Sequence, residues 1–262
     1  MNRPHAQAPA RSEFADALRK GLLIGSAVLA ALWPPQLTGP PPAGASHRAG
    51  EQPGPPAVAP RAAAPAVTRL ADFAGTRPST DVRRMAHWIV RSGDHRTLAF
   101  VIVDKKDAKV YAFDPNGRLQ AVVPALLGSA RGDDTVPGIG ERPVAQVLPH
   151  ERTTPAGRFV AEMGLSASRG EDVVWVDYDA AVSMHRVLRK KERLAALSSP
   201  GIADNRMSYG CINLPVAFFE NVLRPAVKGP GAVIYVLPET RPLQSVFASF
   251  QDVVPALQLA QH

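Results

Sequence analysis

Ten of the 26 prolines in this 262-residue chain fall between Pro34 and Pro65, and that stretch decides where a fold can begin. Proline has a fixed φ and no backbone N–H, so it interrupts helix interiors and central strands. Residues 34–68 otherwise hold mainly Ala and Gly, with few charges and no aromatic side chain. Such a composition buries too little apolar surface to offset the entropy of ordering the chain. We read it as a disordered, semi-extended linker. Ahead of it, Arg19-Lys20 precede an apolar run of thirteen residues, Gly21 to Trp33, stopped by Pro34-Pro35. That is short of the roughly 20 residues of an ordinary membrane span and matches the apolar core of a secretory signal. Residues 1–33 are expected to be a signal peptide or a membrane anchor. Ala43-Gly44-Ala45 is a candidate cleavage site; uncleaved, residues 21–33 would associate the protein with the inner membrane.

The charge balance is mildly basic, 30 Lys+Arg against 23 Asp+Glu for a net +7. No zinc-finger spacing or aromatic-rich basic stripe accompanies it, so no nucleic-acid partner is expected; an anionic envelope surface would suit the sign. One cysteine excludes an internal disulfide framework and a Cys-rich zinc module. Hydrophobic residues at 45% exclude a wholly disordered chain.

The folded part is expected from about residue 69. A helical lead-in, 69–96, carries Ser79-Thr80-Asp81 as cap chemistry before Val82, Met85, Ala86, Ile89 and Val90 at helical spacing, ending near Gly93. Short apolar runs predict strands at Leu98 to Val103, Lys109 to Phe113, Leu119 to Leu127, Arg158 to Met163, Asp172 to Val176 and Ala232 to Leu237. Asp114-Pro-Asn-Gly117 is a turn signal between two of them. Short strands with Gly/Pro punctuation argue for a mainly β core with a few short helices over residues 97–240. Leu243, Val246, Phe247, Phe250 and Val254 predict a helical tail over 241–262. Gly138 to Pro143 is Gly-rich but lacks the Gly-Lys-Ser/Thr ending of a phosphate loop.

Cys211 lies in Met207-Ser-Tyr-Gly-Cys-Ile-Asn-Leu-Pro215. Gly210 permits a tight bend beside the sulfur. Pro215 is expected to open a helix that buries Val216, Phe219, Val222 and Leu223, and a cysteine just ahead of a helix start would have its thiolate favoured. A thiol nucleophile also needs a base. Of the seven histidines, His185 ends the strand-like segment Val174 to Met184; an ordinary surface or core histidine is the other reading.

Together, His185 followed by Ser208-Tyr209-Gly210-Cys211-Ile212-Asn213 resembles the L,D-transpeptidase catalytic domain of bacterial cell-wall enzymes, whose pattern is His, a gap, then Ser/Thr-His-Gly-Cys, an apolar residue, and Asn or Arg. Upstream, Thr153-Thr-Pro-Ala-Gly-Arg-Phe159 is similar to that family's Thr-Pro-x-Gly-x-Phe segment, and the strand pair around Asp114 to Gly117 to its opening hairpin. The resemblance covers roughly 97–238. It implies a β-sandwich and a periplasmic or cell-envelope enzyme acting on peptidoglycan stem peptides. Cys211 would attack the carbonyl of the third stem residue with His185 as general base and acid, releasing D-alanine. The acyl group would then pass to an amine, or to water in a carboxypeptidase. Backbone N–H groups of Gly210 and Cys211 would hold the oxyanion; Ser208 and Asn213 would shape the loop, and the Tyr209 hydroxyl could hydrogen-bond near the site. Arg206 is a candidate grip for a substrate carboxylate. No metal or organic cofactor is implied. Two departures stand out. Tyr209 replaces the family's second histidine, which keeps a catalytically silent peptidoglycan-binding module as an alternative. The His185-to-Cys211 spacing, 211 − 185 = 26, exceeds the usual gap. The extra chain holds Arg186, Arg189, Lys190, Lys191 and Arg193, read as a solvated helix face or a contact for anionic wall polymer.

Overall fold

The computed structural model describes residues 69–166 and 169–253. The apolar run 21–33, the linker 34–68 and Val254 lie outside them. The chain divides between Ala62 and Ala63, and every described residue belongs to the second unit.

Helix α1 (Thr80–Ser92) forms where the periodicity predicts. Ser79 Oγ accepts the Val82 N–H, and Gly93 closes the other end on Ile89 O. The strands are β1 (Ala99–Asp104), β2 (Lys109–Phe113), β3 (Leu119–Pro124), β4 (Leu127–Gly128), β5 (Gly157–Val160), β6 (Glu162–Leu165), β7 (Asp172–Asp177), β8 (Val182–Arg186), β9 (Arg206–Ser208), β10 (Ile212–Leu214) and β11 (Ala232–Val236). Among the described residues they form a five-stranded sheet, β3-β2-β1-β11-β5, a four-stranded sheet, β10-β8-β7-β6, and a β4-β9 pair. The protein is therefore mainly β with short helices, as expected.

Side chains alternate across a strand, so one strand can serve two layers. On β1, Val101 and Val103 enter the core between the two large sheets, where Val174, Met184, Ile212 and Leu214 meet them. Phe100 and Ile102 face the other way, onto Met85 and Ile89 of α1 and onto Leu243, Phe247 and Phe250 of the C-terminal segment. The five-stranded sheet is thus buried on both faces. Each such apolar side chain stabilises by about 1.5–3 kcal/mol.

Four local expectations are corrected. The strand from Leu119 breaks after Pro124, which has no N–H for the ladder; Leu126 instead pairs with Asn213 at 2.9 Å in both directions. The Arg158 to Met163 strand turns a corner at buried Ala161, so β5 and β6 belong to different sheets. Among the described residues the tail is helical over Leu243–Val246, because Phe247 leaves helical geometry (φ −109°, ψ 85°) to bury its ring. After Pro215 come Val216–Phe218, a π-helical turn at Phe219–Leu223, and Arg224–Lys228. Phe219 and Leu223 are buried as expected, joined by Phe218, whereas Val216 and Val222 are half-buried. Strand β10 stands between Cys211 and this helical run, so the sulfur does not sit at a helix start and the expected dipole effect has no geometric basis.

Candidate active site

The alternation that builds the core also builds the site. On β8, Val182 and Met184 point into the inter-sheet core, leaving Ser183 and His185 on the opposite face. On β10, Ile212 and Leu214 are core, leaving Asn213 and the preceding Cys211 on that same outer face. The two strands are parallel, with Met184 opposite Ile212 and His185 opposite Asn213. Continuing that register sets Ser183 beside Cys211 and makes the cysteine a diagonal neighbour of the histidine. All four line one cavity of about 380 Å³, with Trp175 and Tyr209 among its other walls. An adjoining hollow of about 710 Å³ shares Trp175 and Ala181 with it.

The imidazole is held at both nitrogens. His185 Nδ1 lies 2.8 Å from Arg186 O, a carbonyl that can only accept, so Nδ1 carries the proton. Nε2 is left with a lone pair, 3.4 Å from the donor Asn213 Nδ2. Asn213 is oriented in turn: Arg193 Nη1 donates to its Oδ1 at 2.7 Å, and its Nδ2 also reaches Cys211 O at 3.3 Å. Burial pushes the His185 pKa down to about 4; the bond to Arg186 O opposes this, and the charges of Arg169, Arg193 and Arg186 add to it. The ring is neutral at pH 7, with its free lone pair on the nitrogen near Asn213. Among the described residues, the polar contacts of the Cys211 thiol are Ala181 O at 3.7 Å and Ser183 Oγ at 3.8 Å.

The cysteine loop is braced by the sequence's other motif. Thr154, fully buried, donates through its hydroxyl to Gly210 O at 2.8 Å and accepts the Gly128 N–H at 2.9 Å. Gly210 itself has φ +127°, and a Cβ there would stand 2.8 Å from the Thr153 backbone oxygen. Ser208 Oγ donates to Cys211 O at 2.6 Å and accepts the Gly210 N–H at 3.1 Å. Ser208 and Asn213 both bond to the Cys211 carbonyl, and the Gly210 N–H is taken by Ser208 rather than turned toward an oxyanion. Tyr209 is 44% exposed, its ring stacked under the Arg152 guanidinium at 4.1 Å.

Arg206 does not line the cavity around Cys211. It donates to Glu239 Oε2 at 2.5 Å and to Lys105 O at 2.6 Å, tied to a buried ion-pair network instead of facing a ligand. The basic cluster is also not one solvated face. Arg186 lies on β8 and pairs with Asp172 and Glu220 at 2.7 and 2.6 Å, while Arg193, on helix α2 (Lys191–Ser198), turns inward to Asn213. Ser183, Arg169 and the role of Thr154 were not singled out from the sequence. Ser183 was legible, since it lies two residues before His185 on an alternating strand. Arg169 had no such signal. Among the described residues no group of three or more His, Cys, Asp or Glu side chains is placed to hold a metal ion, and no helix is long and apolar enough to cross a membrane.

No protein-family model and no curated protein matches the chain. Solved structures do. The helical cell shape determining protein Pgp2 from Campylobacter jejuni aligns at 15% identity and a TM-score of 0.38, over 55% of this chain and 49% of that one. An L,D-transpeptidase from Mycobacterium smegmatis aligns at 17% identity and a TM-score of 0.31, over 53% and 58%. Another, from Stackebrandtia nassauensis, aligns at 16% identity and a TM-score of 0.31, over 55% and 57%. The chain spans 49% to 58% of the length of these three proteins, and it is to such solved structures that it is similar.

Proposed function

We propose that this protein is an envelope cysteine acyltransferase of the L,D-transpeptidase kind, acting on peptidoglycan stem peptides. The observation that carries the reading is the block Ser183, His185, Cys211 and Asn213 on one face of the β8-β10 pair, opening into a single cavity. Its support in the sequence is the Ser-x-Gly-Cys-x-Asn cluster with the Thr-Pro-x-Gly-x-Phe segment, whose Thr154 hydroxyl reaches the carbonyl of Gly210.

The proposed step needs Cys211 Sγ to turn from Ala181 O toward His185 Nε2; catalytic hydrogen bonds are often loose until substrate binds. The thiol proton passes to Nε2 as sulfur attacks the carbonyl of the third stem residue. The resulting oxyanion is held by backbone N–H donors, among which that of Cys211 is the candidate once Gly210 is discounted. Collapse breaks the peptide bond, and the imidazolium protonates the departing D-residue amine. An amine entering by the adjoining hollow then attacks the thioester carbonyl and loses its proton to His185; the C–S bond breaks, the acyl group leaves on the amine, and the imidazolium returns the proton to the thiolate. Tyr209 stands outside this sequence of proton transfers, so the loss of a second histidine removes no step.

Mass spectrometry of the intact protein with a tetrapeptide stem tests the reading. The expected result is an acyl adduct on Cys211 with loss of D-alanine, and dimers when a stem amine is supplied. Tripeptide as the sole product would make it a carboxypeptidase. Turnover that survives both Cys211→Ser and His185→Ala would remove the dyad altogether.

A further inference from the structure

The cavity around Cys211 has a one-sided charge. Among the described residues its lining includes two guanidiniums, Arg169 and Arg193, and no carboxylate. Among the described residues no carboxylate lies within salt-bridge distance of Arg193, whose Nη1 is spent on the neutral Asn213 side chain. Among those residues Arg169 has a single carboxylate partner, Glu171, at 3.9 Å and itself exposed. The imidazole between them carries no charge to balance. Two half-buried cations facing one hollow repel each other and attract an anion, and a guanidinium is the side chain best shaped to grip a carboxylate on two oxygens. Arg193 also comes from the extra chain between His185 and Cys211, so the feature belongs to this sequence's own departure from the family pattern.

We propose that Arg169 and Arg193 form a carboxylate clamp that selects acyl donors carrying a free carboxylate close to the scissile bond. This replaces Arg206 in the role that the sequence suggested for it, and it rests on the acyl-transfer reading above for the identity of the donor. Two carboxylates of a stem tetrapeptide could fill it: the terminal α-carboxylate of the D-residue, or the distal carboxylate of the diamino acid. The clamp has a second effect. Both arginines depress the basicity of His185, so a bound carboxylate offsets their charge and makes the imidazole a stronger base when a donor is in place.

The test separates binding from chemistry. Full-length Cys211→Ala protein is titrated calorimetrically with a stem tetrapeptide, with its C-terminal amide, and with its distal-carboxylate amide. One of the two amides should bind at least tenfold more weakly than the acid, which identifies the carboxylate held. Adding Arg169→Gln should lower affinity for the acid to that of the weak amide while leaving the amide's own affinity unchanged. Equal affinity for all three peptides overturns the clamp, as does an Arg169→Gln change that weakens acid and amide alike. On the wild-type protein, adduct formation at Cys211 at equal rates from acid and amides would also sink the clamp while sparing the acyltransferase. Selective binding of the acid without any adduct would sustain the clamp and discard the chemistry.

Discussion

At the scale of single residues, the site turns on a neutral imidazole. His185 donates from Nδ1 to Arg186 O and is buried, so Nε2, 3.4 Å from Asn213 Nδ2, keeps its lone pair well below the ordinary imidazole range. With its pKa near 4 rather than 6.5, the acid limb of kcat/KM, which reports the free enzyme, is expected near pH 4. Cys211 acylation by a carbapenem followed against pH measures it; a limb at the ordinary histidine value would contradict the buried, neutral ring. With a carboxylate-bearing donor the limb of kcat should lie above that of kcat/KM. The same shift has a stability consequence. As pH falls from 6.5 toward 4, the unfolded chain binds a proton that the folded one refuses, so stability drops across that window. The loss is roughly 3 kcal/mol at most. His185→Gln should flatten that part of a urea-midpoint-against-pH curve.

At the scale of elements, the site is made by two short parallel strands and braced from behind by a loop. Thr154→Val keeps the volume but leaves Gly210 O without its donor and the Gly128 N–H without its acceptor, both buried. Such orphaned groups cost about 1–3 kcal/mol each, so we expect a lower denaturation midpoint together with slower thiol acylation. Unchanged acylation would mean that the loop holds its shape unaided. Gly210→Ala should be worse, since it meets both a left-handed φ and a backbone oxygen at 2.8 Å. Helical spacing with cap residues, short apolar runs and turn chemistry made α1, β1, β2, β7 and the Asp114 to Gly117 hairpin legible in the sequence, because each is dictated within its own few residues. The corner at Ala161 and the break at Pro124 were not legible as changes of sheet, since which sheet a strand joins is set by partners far along the chain. The same holds for the site. Cys211 and His185, the pair we propose to act, were singled out by motif chemistry, but Arg193's inward turn and Thr154's reach to Gly210 depend on a register that only the assembled sheets supply.

At the scale of the whole molecule, a buried charge network joins segments that are distant in sequence. Lys105 Nζ, fully buried, donates to Gly132 O at 2.6 Å and to Asp133 Oδ1 and Thr154 O at 2.8 Å. Asp133 also accepts the N–H groups of Glu239, Thr240 and Arg241, and Glu239 takes Arg206 at the start of β9, five residues before the sulfur. Burial alone would raise the Asp133 pKa, but Lys105 and these donors hold the carboxyl well below the usual carboxylate range. Its folded pKa is depressed, so its contribution is complete above the unfolded value of 3.8 and is lost only as pH falls below that. The His185 window, by contrast, lies wholly above it. Acid unfolding should therefore have two separable parts, the upper one removed by His185→Gln and the lower one by changes to the network. Arg206→Ala decides what this arginine is for. Removing it leaves Glu239 buried with its main partner gone, a loss of about 3–5 kcal/mol and roughly 6–20 °C in Tm for a domain of this size. If Arg206 instead gripped substrate, the same substitution would raise KM steeply and leave Tm within a degree or two. Differential scanning calorimetry beside a KM measurement on the one variant distinguishes the outcomes, and we expect the heat to move while the KM of whatever remains folded does not.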